Sequence, residues 1–260
     1  MSGPLNVTVE GPVLTVVIDR PKANAIDAAT SRLLGETFAR FRDDPALRVA
    51  ILTGAGERFF SAGWDLAAAA AGEAPDSDYG VGGFGGIARL PGLNKPVIAA
   101  VNGMAVGGGF ELALCCDLVV AAAHARFWLP ETRVGLIADA ATLRLPRRLP
   151  RVRAIELLLT GRRLAAAEAE AWGLVNRVVE PADLLAEAMA MARSIAEGAP
   201  LAVAAVLEVA RAAEAMKLAD AYALLESGDL PAYRAMLGSE DAIEGPTAFA
   251  EKRAPIWRGR

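Results

Sequence analysis

Two acidic residues, Glu111 and Glu131, stand twenty positions apart in settings suited to acid–base chemistry. Glu111 follows a triple glycine, Gly107–Gly109, inside the stretch KPVIAAVNGMAVGGGFELALCCD (Lys95–Asp117). Glu131 closes the run ARFWLPE. Two carboxyl groups flanking one water can act as base and acid when their surroundings separate their pKa values. The glycines let the backbone approach a ligand closely. A helix that starts there turns N–H groups without intrahelical partners outward, and such donors can hold a developing oxyanion. Taken singly, each part has an ordinary reading. A triple glycine can be a tight helix start, Glu111 a solvated helix-start residue and Glu131 a first-turn charge after Pro130. Their combination points to catalysis.

The elements that must hold these groups follow from the hydrophobic pattern. Val97–Val101 carries no polar residue and reads as a strand buried on both faces. Val13–Arg20 reads as a strand stopped by Pro21, and Val49–Thr53 as another. FFSAGWDL (Phe59–Leu66) follows through a glycine turn, and Leu118–Ala122 is a further strand. Thr30–Arg42 places Leu33, Leu34, Phe38 and Phe41 at helical spacing. Gly72–Gly92 is rich in Gly, Pro, Asp and Ala and reads as a mobile flap or short helix. Helices are predicted over Arg153–Thr160, Ala165–Trp172 and Ala182–Ala196, with Gly161 and Gly173 as stops. Gly198-Ala199-Pro200 reads as a hinge before an alanine-rich helix, Leu201–Leu225, and a last one, Ser239–Lys252. The alternation gives an α/β fold with a mostly helical C-terminal subdomain, divided into 1–197 and 198–260.

Composition narrows the function classes. The 260 residues are 54% hydrophobic, with mean hydropathy +0.33. No run of about 18 apolar residues free of charge or glycine occurs, so the surplus, mostly alanine, is read as packed interface and not as a membrane segment. The N-terminal stretch has acidic Glu10 and no basic n-region, so a cytoplasmic location is expected. A net charge of −4 argues against a general nucleic-acid binder. Cys115 and Cys116 are adjacent and read as reduced core thiols. His124 is the only histidine, which leaves no Ser-His triad or multi-histidine zinc site. GVGGFGG (Gly80–Gly86) superficially suggests a nucleotide loop but does not join a buried strand to a helix.

The ordered motifs DRPKANAID, FFSAGWDL, KPVIAAVNG, GGGFELA and LPE resemble the enoyl-CoA hydratase/isomerase (crotonase) superfamily along essentially the whole chain. The resemblance implies a spiral of ββα turns followed by C-terminal helices that assemble a trimer, or a dimer of trimers. It implies an acyl-CoA thioester substrate, no cofactor beyond the coenzyme A that the substrate carries, and no metal. By position, the backbone N–H groups of Trp64 and Gly108 form the oxyanion hole. Glu111 activates water for attack at Cβ, and Glu131 transfers the proton at Cα. Lys22, Ala23, Asn24, Ala62, Asp65, Leu66, Phe249 and Lys252 match CoA-contacting positions, the last two reaching a neighbouring subunit's ligand. Isomerisation, decarboxylation or thioester hydrolysis by the same oxyanion hole is the alternative activity, and a CoA-binding or assembly protein without turnover is a further one.

A narrower likeness, carried by GEAPDSDYG, TGRR, WGLVNRVV and SEDAIEGPTAFAEKRAPIWRGR, is to the branch of the superfamily that hydrates crotonobetainyl-CoA. Its trimethylammonium group has no hydrogen to donate and is recognised by aromatic faces or a carboxylate. Some of Trp64, Tyr79, Phe84 and Trp128, with an acid such as Asp139, are the expected cradle. Two positions depart from the superfamily pattern. Trp128 stands where Gly or Ala is common, and GLIADAATLRLP after Val134 lacks the usual proline and double glycine and is one residue shorter.

Overall fold

The computed structural model describes residues 3–260. The chain opens with β1 (Leu5–Glu10), whose apolar–polar alternation pairs antiparallel with β2 (Val13–Ile18). After β2, α1 (Ala28–Asp43) is capped by the Asp27 side chain, which accepts from Thr30 N–H. Three turns of a spiral follow. The first is β3 (Val49–Gly54), β4 (Phe59–Ser61) and α2 (Leu66–Ala70). The second is β5 (Val97–Val101), β6 (Met104–Val106) and α3 (Gly108–Cys115). The third is β7 (Leu118–Ala122) and β8 (Arg126–Trp128), then a short 3-10 turn at Glu131–Val134 and α4 (Asp139–Arg148). With two later strands, β9 (Leu164–Ala165) and β10 (Arg177–Val179), the first strand of each turn joins a six-stranded sheet of order β1-β2-β3-β5-β7-β10, and the second joins a four-stranded sheet of order β4-β6-β8-β9.

Helix α5 (Arg151–Thr160) ends at Gly161 in the left-handed region, as its place in the pattern predicts. Strand β9 (Leu164–Ala165), α6 (Ala166–Ala171) and β10 (Arg177–Val179) complete the sheets. Helix α7 (Leu184–Ala196) lays Leu184, Ala188, Ala192 and Ala196 on the outer face of the larger sheet, against Val49, Ile51, Ile98 and Val120. The small residues recur every fourth position, so the helix can lie close to the strands. Because α7 covers one face and the main core the other, every residue of β5 is buried.

Beyond the break at Glu197–Ala199, α8 (Pro200–Ala213) leaves at 103° to the preceding helical segment. It is followed by α9 (Leu218–Ser227), α10 (Pro231–Leu237) and α11 (Glu240–Glu251). The single helix predicted over Leu201–Leu225 is therefore two helices. The break lets the chain fold back so that α10 meets α8, where Tyr233 N–H donates to Glu208 at 3.0 Å. Alanine-rich propensity carries no signal for such a return. The tail docks on the buried Asp241 carboxylate, which accepts from Arg258 N–H and Gly259 N–H at 2.7 and 2.9 Å. These helices expose Val206, Leu218, Tyr222, Leu237, Ile243 and Phe249.

The stretch Gly72–Gly92, read as a mobile flap or short helix, contains a short 3-10 helix at Phe84–Gly86. Gly82, Gly85 and Gly86 are buried, and a Cβ at Gly86 would stand 2.6 Å from Leu34. The glycines are there so that this segment can pack directly on α1. Among the described residues no single helix is long and apolar enough to cross a membrane.

Candidate active site

Spiral turns one and two bring two backbone donors together. Trp64 forms a parallel bridge with Ile26: Ile26 N–H donates to Gly63 C=O at 2.7 Å, and Asp65 N–H donates to Ile26 C=O at 3.0 Å. In a trans peptide the N–H points opposite to the C=O, so the Trp64 N–H faces away from Ile26. On that side lies the start of α3. A Cβ built on Gly63 would stand 2.5 Å from the Gly108 nitrogen, so the two segments touch through backbone alone. Gly107, at φ 53 and ψ −124, makes the turn into α3 in a conformation that other residues avoid. Phe110 and Glu111 N–H both bond to Gly107 C=O, which leaves Gly108 at the open end of the helix. Among the described residues neither the Trp64 nor the Gly108 N–H has an acceptor. The ring of Phe84 covers Gly108 and meets Tyr79 edge-on at 5.4 Å.

The two glutamates converge on the same spot. Gly107 N–H donates to Trp128 C=O at 2.8 Å, which ties the helix start to β8 and so to the LPE turn that follows. A Cβ at Gly107 would stand 2.6 Å from Glu131 Oε1. Glu131 Oε2 is buried without a hydrogen-bond partner among the described residues. Burial, with the nearby Glu111 charge, pushes the Glu131 carboxyl up to about 7. Glu111 is treated differently. Its Oε1 accepts from Ala141 N–H at 3.0 Å, at the start of α4. Burial leaves its pKa raised; the Ala141 and Ala140 N–H groups offset part of this, and the Asp139 charge adds to it. The shortened segment after Val134 therefore still supplies a helix start to the acid. The pair combines a carboxylate held by backbone N–H groups with a carboxyl that is half-protonated near neutrality, which suits a base and an acid.

The N-terminal motifs lie side by side. Ala62 N–H donates to Ala23 C=O at 2.9 Å, and Ser61 Oγ donates to Asn24 C=O at 2.7 Å. Lys22 is exposed at φ 80 and borders a shallow cleft with Pro21, Arg58 and Phe59. Asn24, at φ 50, is buried with its side chain fully engaged: Nδ2 donates to Ala55 and Phe59 carbonyls, and Oδ1 accepts from Arg20 N–H. Asp65 caps α2 and pairs with Arg20 at 3.1 Å, while Leu66 is exposed beside it. Phe249 and Lys252 sit at the far end of α11, where hydrogen bonds and ion pairs tie that helix to the tail and not to the Lys22 loop.

Two of the aromatic residues named for the cradle have partners of their own. Trp128 turns away: its Nε1–H donates to Gly161 C=O at 2.7 Å and the Arg163 guanidinium lies 4.7 Å from its ring centroid. A cation already occupies that ring. Gly63, the residue before Trp64, lies against Gly108, and the Trp64 Nε1–H donates to Glu73 at 2.9 Å. Sequence reasoning gave Glu73 no role of its own, although it lies in GEAPDSDYG, one of the motifs that carry the narrower likeness. Among the described residues no cluster of three or more His, Cys, Asp and Glu could hold a metal ion.

The family model described as Enoyl-CoA hydratase/isomerase matches residues 8–260. The chain belongs to that family. Solved structures share its architecture. One is an enoyl-CoA hydratase from Mycobacterium marinum, with TM-score 0.91 at 41% identity, and another an enoyl-CoA hydratase from Mycobacterium tuberculosis H37Rv, with TM-score 0.91 at 40%; each comparison covers 100% of both chains. Among curated relatives, the carnitinyl-CoA dehydratase of Salmonella arizonae is 57% identical over 260 residues and that of Proteus mirabilis 57% over 261, with 100% of each chain covered.

Proposed function

We propose that the chain is a lyase that reversibly hydrates crotonobetainyl-CoA to carnitinyl-CoA. The observation that carries the reaction type is the convergence of two unpartnered backbone N–H groups and two differently held carboxyls at the start of α3. The choice of acyl group rests on the carnitinyl-CoA dehydratases that are 57% identical along the whole chain.

In this reading the thioester oxygen sits between the N–H groups of Trp64 and Gly108. Each donor stabilises the enolate by about 3 kcal/mol in a site closed to water. Glu111, as carboxylate, takes a proton from the water that attacks Cβ. Glu131, as carboxylic acid, gives its proton to Cα, and dehydration runs the same steps backwards. Lys22 supplies a point charge to a CoA phosphate. Ala23, Ala62 and Leu66 line the CoA path, while Asn24 and Asp65 shape its loop through their internal bonds. Phe249 and Lys252 reach the CoA of a neighbouring copy in a trimer or a dimer of trimers. The apolar side chains exposed on 198–260 supply the contact surface for that assembly, and 1–197 holds the reaction. The enzyme works in the cytoplasm, without nucleic acid, membrane or a separate cofactor.

The test is turnover of crotonobetainyl-CoA beside crotonyl-CoA, with Glu111→Gln and Glu131→Gln as controls. Preference for the charged thioester, lost in both variants, is the expected result. Turnover of crotonyl-CoA alone would make the enzyme a general hydratase. CoA binding without turnover would refute the catalytic reading.

A further inference from the structure

Glu73 lies just after α2, outside the motifs that carry the family resemblance to the oxyanion hole and the acids. Its two carboxylate oxygens do two different things. Oε1 accepts from the Trp64 indole Nε1–H at 2.9 Å, and Oε2 accepts from the Ala28 backbone N–H at 2.9 Å. Ala28 is the first residue of α1, so its N–H is one that the helix itself leaves unpaired. The Asp27 side chain satisfies Thr30 N–H, and Glu73 satisfies Ala28. Glu73 is itself held, because its N–H donates to Ala68 C=O at 3.0 Å.

The consequence is a two-point attachment. The backbone around Trp64 is bridged to Ile26, and the Trp64 side chain reaches, through Glu73, to Ala28 two residues further on. Gly63, at φ 78, is the joint just before the Trp64 N–H, in a backbone conformation that other residues avoid. A bond on the peptide's C=O side restrains one end of that joint, and the indole anchor restrains the other. Hydrogen bonds to an ionised acceptor are among the stronger ones available for this.

We propose that Glu73 is a positioning residue: it fastens the Trp64 indole to the N-terminus of α1 and thereby holds the Trp64 backbone N–H in line with that of Gly108. The proposal rests on the reading of Trp64 N–H as an oxyanion donor. A positioning residue of this kind acts on the transition state more than on substrate binding, so its loss lowers kcat and leaves KM nearly unchanged.

The experiment compares wild type, Glu73→Ala, Glu73→Gln, Trp64→Phe and the double variant Trp64→Phe/Glu73→Ala, all as full-length protein. Turnover of crotonyl-CoA and crotonobetainyl-CoA is read together with the indole N–H resonances of the four tryptophans in an amide correlation spectrum. Trp64→Phe assigns the Trp64 signal. Expected are a shift of that signal alone in Glu73→Ala, and a fall in kcat of about 10- to 100-fold with KM within about twofold. Glu73→Gln, which keeps one acceptor and turns an amide donor toward the other N–H, should fall between. Trp64→Phe removes the indole donor and should reproduce the loss in kcat, and the double variant should lose little more than either single change.

An unchanged kcat in an active, folded Glu73→Ala protein overturns the proposal even if the indole signal moves. Additive losses overturn it as well, because Glu73 would then act on something other than Trp64. If Glu73→Ala does not fold, the Glu73→Gln and Trp64→Phe results decide by the same criteria. Wild type inactive on both thioesters would instead refute the hydratase reading, and the catalytic role of this contact would fall with it.

Discussion

Gly63→Ala is the sharpest probe of the paired donors, because it disturbs their spacing and removes neither N–H. The added Cβ would stand 2.5 Å from the Gly108 nitrogen and 2.6 Å from the Val106 oxygen, both backbone atoms that cannot rotate aside. An ordinary contact needs about 3.5 Å, so the segments must separate by close to 1 Å. A thioester oxygen held about 2.9 Å from both donors would then be about 3.9 Å from one, outside hydrogen-bond range. Losing one such donor costs about 2.7–4 kcal/mol, or roughly 10²- to 10³-fold in kcat. Alanine at φ 78 also adds about 1–3 kcal/mol of strain, which lowers Tm by about 2–12 °C in a chain this size. Loss of the enoyl-thioester absorbance gives kcat, and circular dichroism gives Tm and shows that the variant is folded. Gly108→Ala is the comparison. Its Cβ meets the edge of the Phe84 ring, a side chain that can turn for about 1 kcal/mol, so less than a tenfold loss is expected. A folded Gly63→Ala enzyme with kcat within about threefold of wild type would refute the assignment of the Trp64 and Gly108 N–H groups.

Further outcomes follow from the same geometry. Hydration uses Glu131 protonated with Glu111 ionised and dehydration uses the reverse, two arrangements of one proton on one pair. The kcat/KM profiles of both directions should therefore fall together as pH rises through about 7, an apparent value that belongs to the pair; a dehydration rate that rises there refutes the shared proton. Glu131→Gln should lower turnover by about 10²- to 10⁴-fold. Because burial raises the folded-state pKa of Glu131 from 4.5 to about 7, the wild-type protein loses stability as pH rises across that interval. The amide variant should thus gain Tm at pH 8 relative to wild type and gain less at pH 5, and an equal difference at both would contradict the burial argument. Asn24→Ala removes the bonds to Ala55, Phe59 and Arg20 and places alanine at φ 50, so a loss of about 3 kcal/mol is expected in urea denaturation, and less than about 1 kcal/mol would refute it.

The parts of this molecule that were legible in the sequence are those in which chemistry and local pattern coincide. Val97–Val101 reads as a doubly buried strand because nothing polar interrupts it, and it is β5 with the same ends. Ser239 reads as the boundary of the last helix and caps it, accepting from Ala242 N–H. Glu111 and Glu131 stand out because each adjoins a helix or turn start, and the fold brings the second to the glycine before the first. Trp128 shows the opposite case. An aromatic residue near catalytic motifs suggests a pocket wall, yet what decides its direction is Gly161 C=O, 33 residues away in the chain. Asn24 was read as a CoA contact; the carbonyls that its side-chain amide bonds lie 31 and 35 residues on, and only Arg20 N–H is local. Glu73 is the extreme case. It stands in a stretch without hydrophobic period, and its two partners are 9 and 45 residues back along the chain. A pattern read along the chain can find the groups that react, because their types are few and their neighbours are local. The groups that aim them can be of any polar type and come from any distance. Only the folded arrangement separates an acid that holds a tryptophan in place from one that merely solvates a loop.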